Sequence, residues 1–409
     1  MRLPQKPIGM VVPIMTLGAL LDQKIVGKRD STGGNLKMPN VLSSRCCPRA
    51  WARSFARCLS FFVVLVAFTS TVAAAAETSL LTGVLDRLDE EGDHHGAAPR
   101  PDTHAPAGLM GDHAHKTGEV MVEYKFMTMS MDDNRTGTDK VSDAGALMAT
   151  GSMGSMFMVA GTRMHMDMHM FHLMYAPSDE FTLYLMPMWT SVTMDHRRMN
   201  GTRFRTHNEG FDDMAAGALW LLDKDEDSEW IANLGFSVPT GDLNNTTTAA
   251  MGGMATRLPY PMRLGSGTFD ARPGLTWKGY REDGGHGIQF QADLPIGTNY
   301  RDYSVGNTYS VSGWYSWLLG ERVSTSVRFE GLMRENFSGA DADLDPAMSP
   351  MARTNMRGGD SVNLGLGLVW MLEGGSRINF EWVKPFYQDL DGVQLETDFM
   401  MFTSWSKSW

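Results

Sequence analysis

From Gly118 to the C-terminus, apolar residues recur at every second position, and they do so in twelve separate stretches. Successive side chains of a strand point to opposite faces, so a two-residue period describes a sheet with one greasy and one polar side. The stretches are Glu119–Met131, the Met-rich run Thr162–Pro177, then Phe181–Trp189, Phe211–Leu222, Trp230–Val238, Phe269–Trp277, Ile288–Ile296, Tyr309–Trp317, Val323–Phe329, Val362–Trp370, Ile378–Trp382 and Leu395–Trp405. With their flanks they reach the ~9–11 residues of a tilted membrane-crossing strand. Twelve is even, as single-chain outer-membrane barrels require. After Ala76 no continuous apolar run is long enough for a spanning helix.

The connections carry a second signal. Ala176–Glu180, Asp223–Glu229, Arg281–Gly285, Leu319–Glu321 and Glu373–Ser376 are short, whereas Asp132–Gly161, Asp195–Gly210, Thr240–Gly267, Gly297–Thr308 and Ser338–Gly359 are mostly long. Only Asp389–Gln394 breaks the alternation. Short turns at one end and long loops at the other are the asymmetry of an outer-membrane barrel, with both chain ends on the periplasmic side. The fold expected over residues 118–409 is therefore all-β: a transmembrane, antiparallel, up-and-down barrel of about 12 strands. The closing aromatics Phe399, Trp405 and Trp409 suit a membrane interface.

Ahead of the barrel, a basic stretch from Arg45 to Arg57 leads into the apolar run Leu59–Ala76, which ends in alanines before Glu77. That is the layout of a secretory signal peptide, assigned to residues 1–76, with Met38 as an alternative start. The rival is a membrane anchor, disfavoured because no positive stop follows. Cys46, Cys47 and Cys58 all fall in this segment, together with ten of the Lys and Arg residues and two of the acids. Its removal leaves a cysteine-free chain more acidic than the −11 of the full sequence, a poor partner for nucleic acid. Residues 77–117 read as a periplasmic tether. It comprises a short amphipathic helix on Leu80, Leu81, Val84, Leu85 and Leu88, then a proline-interrupted loop carrying His94, His95, His104, His113 and His115.

The Met-rich run offers the candidate chemistry. Met164, Met166, Met168 and Met170 alternate with His165, Asp167, His169 and Phe171. In a barrel this predicts thioethers against lipid and His165, Asp167 and His169 in the lumen, with His172 left on the lipid face near a turn. Imidazole and thioether suit copper or another soft cation, so His165, Asp167 and His169 with Met127 and Met129 are the candidate metal ligands. The same alternation predicts a lumen lined by Glu123, Lys125, Asp270, Arg272, Asp293, Arg328, Glu330, Glu381, Glu396 and Asp398. Charges of both signs in one interior form ion pairs, and they also line a pore.

Several pieces resemble an exported barrel family named for the MetA pathway of phenol degradation. They are Ala107–His113, Met168–Met170 with Tyr175–Ser178, Val238–Gly241, Leu258–Met262 with Leu264–Thr268, and Tyr387–Gly392 with Leu395–Asp398. The resemblance implies an outer-membrane barrel passing small apolar or aromatic compounds, and it brings no catalytic residues with it.

The function expected is thus transport or channel activity for a small solute in the outer membrane of a Gram-negative bacterium. The implied partners are the lipid bilayer and the barrel-insertion machinery. The alternatives are a soft-metal barrel, with copper as the possible cofactor, and an outer-membrane lipid hydrolase. The hydrolase reading is weak, because no G-x-S-x-G or H-E-x-x-H occurs and Ser191 with His196 is the nearest Ser/His pair. No catalytic residue is assigned, and the chain is read as a non-enzyme.

Overall fold

The computed structural model describes residues 100–149, 156–251 and 253–409. The signal peptide, the amphipathic helix and His94 with His95 lie outside the described residues.

Twelve extended passes make one antiparallel sheet. They are β1 (Val120–Gly137), β2 (Val159–Tyr175), β3 (Phe181–Met186 and Met188–Arg198), β4 (Arg203–Phe211 and Met214–Lys224), β5 (Ser228–Val238), β6 (Phe269–Tyr280), β7 (Gly284–Ile296), β8 (Thr308–Gly320), β9 (Val323–Arg334) and β10 (Gly359–Met371). A final extended stretch, Ser376–Ser408, folds back at Asp391-Gly392, where Gly392 takes a φ of 73°. Its first limb, β11 (377–390), pairs with β10, and its second, β12 (394–408), pairs with β1. Met121 lies opposite Ser408 on one side of β1 and opposite Met174 on the other, so the sheet closes on itself, and only the extensions Asp139–Val141 and Arg203–Phe211 keep a free side. Pro187 splits β3 because it has no N–H for the ladder, yet its carbonyl still accepts from Phe171 at 3.1 Å. None of the described helices is long and apolar enough to cross a membrane; this barrel crosses with strands.

The outer wall carries an apolar belt. Phe171, Leu173 and Tyr175 on β2, and Leu366, Leu368 and Trp370 on β10, are exposed large hydrophobics at alternate positions. Trp220, Trp230, Trp370, Trp405 and Trp409 ring the short-turn end, and Trp189, Phe211, Phe236, Phe269 and Phe386 lie toward the other. Two aromatic girdles flanking an apolar band are what a bilayer demands of a barrel's outside. Backbone bonds between Val120 and Trp409, at 2.9 and 3.1 Å, fix both barrel ends in the lower girdle.

Two of the expected loops continue the strands that they join. Asp195–Gly210, expected as loop, is ladder: Thr193 pairs with His207 and Arg197 with Arg203. The strands reverse at Asn200-Gly201, with Gly201 at φ 86°, a sequence favoured in tight hairpins. Likewise β1 runs on to Gly137 and meets Asp139–Val141 before a short helix, Asp143–Met148, capped by Ser142. These strands rise beyond the apolar belt, so their outer faces meet water and carry none of the lipid signal that marks a spanning segment. The short helix and the two long connections, 239–268 and 335–358, account for much of the structure at this end.

Candidate functional site

The lumen is the candidate site, and its composition depends on which way β2 faces. Met164, Met170, His172 and Met174 are inside, the first at 3% exposure, while Phe171 on the opposite face is at 50%. The expected orientation is therefore reversed. Above the belt the outside is water and the inside is a dry core, so thioethers turn in and polar groups turn out. His165, Asp167 and His169 sit on the outer wall: His165 Nε2 is 3.1 Å from Asp167 Oδ1, the Thr128 hydroxyl donates to Asp167 at 2.7 Å, and the Tyr124 hydroxyl is 2.7 Å from His169 Nδ1. Met127 is inside, packed with Met110, Met168 and Met170, and Met129, two residues along the strand, shares its face. The sheet itself separates the imidazoles from the thioethers, so the expected His/Asp/Met metal set does not assemble. His172 is not on the lipid face either; it lies in the lumen, 3.4 Å from Glu123.

Eight of the ten expected lumen residues do face inward. Glu123, Lys125, Asp270, Arg328 and Glu381 are buried, and Arg272 pairs with Asp293. Arg328 Nε donates to Glu381 at 2.7 Å, and its NH1 group to Glu330 at 3.0 Å. Lys278 and Glu229 make a further buried pair at 2.7 Å. Glu396 and Asp398 are the two corrections. A β-bulge opposite Ser130/Met131 inserts one extra residue near Asp398 and flips the parity of everything before it in β12. Glu396 thus meets Arg135 and Lys140, and Asp398 meets Lys384, all on the outer wall. Ser191 and His196 project to opposite faces of β3, with His196 turned in to Thr206 at 2.7 Å, so they form no pair.

The feature that sequence reasoning missed is a plug. Residues 100–116, the end of the expected tether, run inside the barrel. The 3-10 turn Pro101–Thr103 sits near the turn between β6 and β7, where Arg100 donates to the carbonyls of Arg281 and Glu282. The segment then climbs along the wall and returns to Gly118. Four wall side chains donate to its carbonyls: Lys278 to Thr103, Lys125 to Leu109, Gln289 to Met110 and Thr276 to Gly111. One wall carboxylate accepts from it, Glu381 from Gly108 N–H at 2.6 Å. Small residues make the room: a Cβ on Gly285 would stand 2.2 Å from the Asp102 carbonyl oxygen. Ala105 and Leu109 fill the space against Trp314. The one sequence signal available was the spacing of small residues in Ala105–Gly111, which suits close backbone approach.

The plug's polar side chains are tightly held. Asp112 takes the Ala105 N–H at 3.0 Å and His113 Nδ1 at 2.8 Å. Burial opposes its charge, but His113 and Lys278 outweigh that and keep the carboxyl well below its ordinary range. Burial pushes His115 down to about 4 and, with Arg377 beside it, pushes His104 well below the usual imidazole value.

The other end is capped by the long loops. Leu258, Met262 and Met351 pack on Met164, Val192 and Met194 of the inner wall. Arg263 and Asp341 join the two caps at 2.7 Å, with both side chains at 2% exposure, and Asp341 N–H donates to the Tyr260 hydroxyl. Burial disfavours the Arg263 charge, but Tyr303 and Asp341 outweigh it and hold its pKa above the ordinary value. The lumen is therefore filled from both ends: a polar, plugged half below and a thioether-lined, capped half above.

A closed cylinder with a girdled apolar outside and a charged, plugged inside defines a membrane-spanning β-barrel. The chain belongs to the family described as "Putative MetA-pathway of phenol degradation", whose model matches residues 161–389. Among solved structures it is similar to an outer membrane channel from Pseudomonas putida F1, at 11% identity over 77% of this chain and 100% of that one, with a TM-score of 0.49. It is also similar to the beta domain of the Bordetella autotransporter BrkA (9% identity, 71% and 100% covered, TM-score 0.37) and to a Pseudomonas aeruginosa FadL homologue (12%, 71% and 89%, TM-score 0.33). No curated protein matches the sequence.

Proposed function

We propose that the protein is a gated outer-membrane channel of a Gram-negative bacterium, carrying a small apolar or aromatic solute. The observation that carries this reading is the plug's mode of attachment. It is held by single hydrogen bonds between wall side chains and its backbone and joins no strand of the barrel ladder, so it can leave without opening the cylinder. The family assignment supports the solute class. The insertion machinery reads the terminal aromatic strand in this account, and the short turns face the periplasm. We assign no catalytic role to any residue.

The Met-lined upper half supports a second reading, passage of a soft cation such as copper. Met127, Met168, Met170, Met186 and Met188 form one inward cluster with Met110 of the plug, and thioethers are ligands for soft metals. Reconstitution into liposomes separates the two. Flux of phenol or toluene well above that of a sugar supports the first, and silver(I) flux lost on Met168→Leu and Met170→Leu replacement supports the second. A barrel that stays non-conducting after residues 100–116 are deleted sinks both.

A further inference from the structure

The plug assembles a different group of imidazoles from the one expected on β2. His104, Asp112 and His113 each offer a ligand atom, and these atoms all lie within 4.8 Å of one another. The rings of His104 and His113 are 5.4 Å apart, and those of His113 and His115 are 4.9 Å apart. The Ala105 N–H to Asp112 bond closes this loop and brings its two flanking histidines together.

The hydrogen bonds around these rings set their tautomers. Asp112 Oδ1 lies 2.8 Å from His113 Nδ1, and Glu119 Oε1 lies 3.1 Å from His115 Nδ1. At His115 the Glu119 carboxylate keeps the proton on Nδ1 and leaves Nε2 as a bare lone pair, whereas Asp112 and His113 Nδ1 stand side by side as two donors that an ion would take in place of the proton between them. His115 Nε2 is buried and has no hydrogen-bond partner among the described residues, on a side chain at 4% exposure. A buried imidazole nitrogen left unpaired is unfavourable unless something binds it.

We propose that the plug is a binding site for a divalent transition-metal ion, held by His104, His113 and Asp112, with the unpaired imidazole of His115 beside His113. Imidazoles with one carboxylate suit a borderline cation such as zinc, nickel or cupric copper rather than calcium or magnesium. Zn–N bonds of about 2.0–2.1 Å require the donor atoms to draw inward by roughly 1 Å from their present spacing. Arg377 is the competitor. Its guanidinium donates to His104 Nδ1, one of the two ring nitrogens open to the ion, so the metal-free plug is tied to β11 at this point. Binding exchanges that contact for a metal bond and couples the ion to how the plug meets the wall.

The test uses the full chain refolded in detergent, titrated with cobalt(II) and zinc, with heat-modifiable gel mobility confirming the barrel. One cobalt per chain, with visible bands of a tetrahedral nitrogen/oxygen site, is expected. His104→Ala or His113→Gln should each weaken binding about 10–100-fold. Arg377→Gln should tighten it, an outcome that a purely structural role for these histidines would not produce. His165→Ala with His169→Ala should leave it unchanged. Absent binding at micromolar metal, or affinity unaltered in the His104→Ala/His113→Gln double variant, overturns the site. Binding is read without any transport, so failure here leaves the channel reading intact, and a closed channel would not excuse it.

Discussion

Gly108 and Glu381 join the plug to the wall: the Gly108 N–H donates to Glu381 Oε2 at 2.6 Å, while Arg328 Nε holds the carboxylate's other oxygen at 2.7 Å. One carboxylate thus anchors a backbone segment and neutralises a buried guanidinium. Glycine is required here by space rather than by backbone angle. A Cβ on Gly108 would lie 2.6 Å from an Arg328 nitrogen and 2.7 Å from Glu381. Gly108→Val is therefore expected to lift the plug while leaving the strands paired. Planar-bilayer recording should show a several-fold rise in open probability, and unchanged closure would show that the plug is held elsewhere.

The Arg328–Glu381 pair predicts an asymmetry in stability. Both side chains are at 2% exposure or less. Removing one partner strands a buried charge and costs about 3–5 kcal/mol, whereas replacing both by methionine costs much less. Unfolding in urea, followed by gel mobility, should rank Arg328→Met well below the Arg328→Met/Glu381→Met double variant. Equal losses would mean that the pair is hydrated.

The orientation of β2 is checked by cysteine labelling. His165→Cys and His169→Cys should react on intact cells with a membrane-impermeant maleimide, because these residues face outward above the apolar belt. Met164→Cys and Met170→Cys should resist, at 3% and 4% exposure in the wild type. The opposite pattern would restore the lumen placement of His165, Asp167 and His169.

Acid should undock the plug. His115 titrates near 4 in the folded chain against an ordinary value of 6.5, since burial disfavours its charged form. The unfolded or undocked segment then binds more protons below 6.5, so the docked state has its full stability above 6.5 and loses it as the pH falls toward 4. Conductance measured with chelator present should rise across that window and shift less in His115→Gln. A flat profile would show that His115 stays buried when charged.

The sequence was most legible where a physical repeat wrote itself into it. β10 carries Leu364, Leu366, Leu368 and Trp370 outward and Asn363, Gly365 and Gly367 inward, and each lies where the alternation puts it. The hairpin at Asn200-Gly201 carries a turn signal of its own, but its strands lack the apolar alternation that marks a spanning segment. The orientation of Thr162–Pro177 was not readable, because methionine is apolar enough for lipid and for a dry core alike, and period two is blind to which face is inside. Asp398 shows the same limit in another form. A one-residue bulge is silent in sequence but reverses every side chain before it.

The sequence by itself determined a closed antiparallel barrel, since alternating apolarity with alternating turn lengths has few other solutions, and it marked most of the charges that pair inside. Only the tertiary structure decided which face of β2 is the inside, where the caps lie, and that residues 100–116 fill the lumen. The plug makes the reason plain: its bonds to Lys125, Thr276, Gln289 and Glu381 span up to 273 residues of chain and use backbone groups common to every sequence. A local pattern cannot encode a partner that only closure of the cylinder brings within reach.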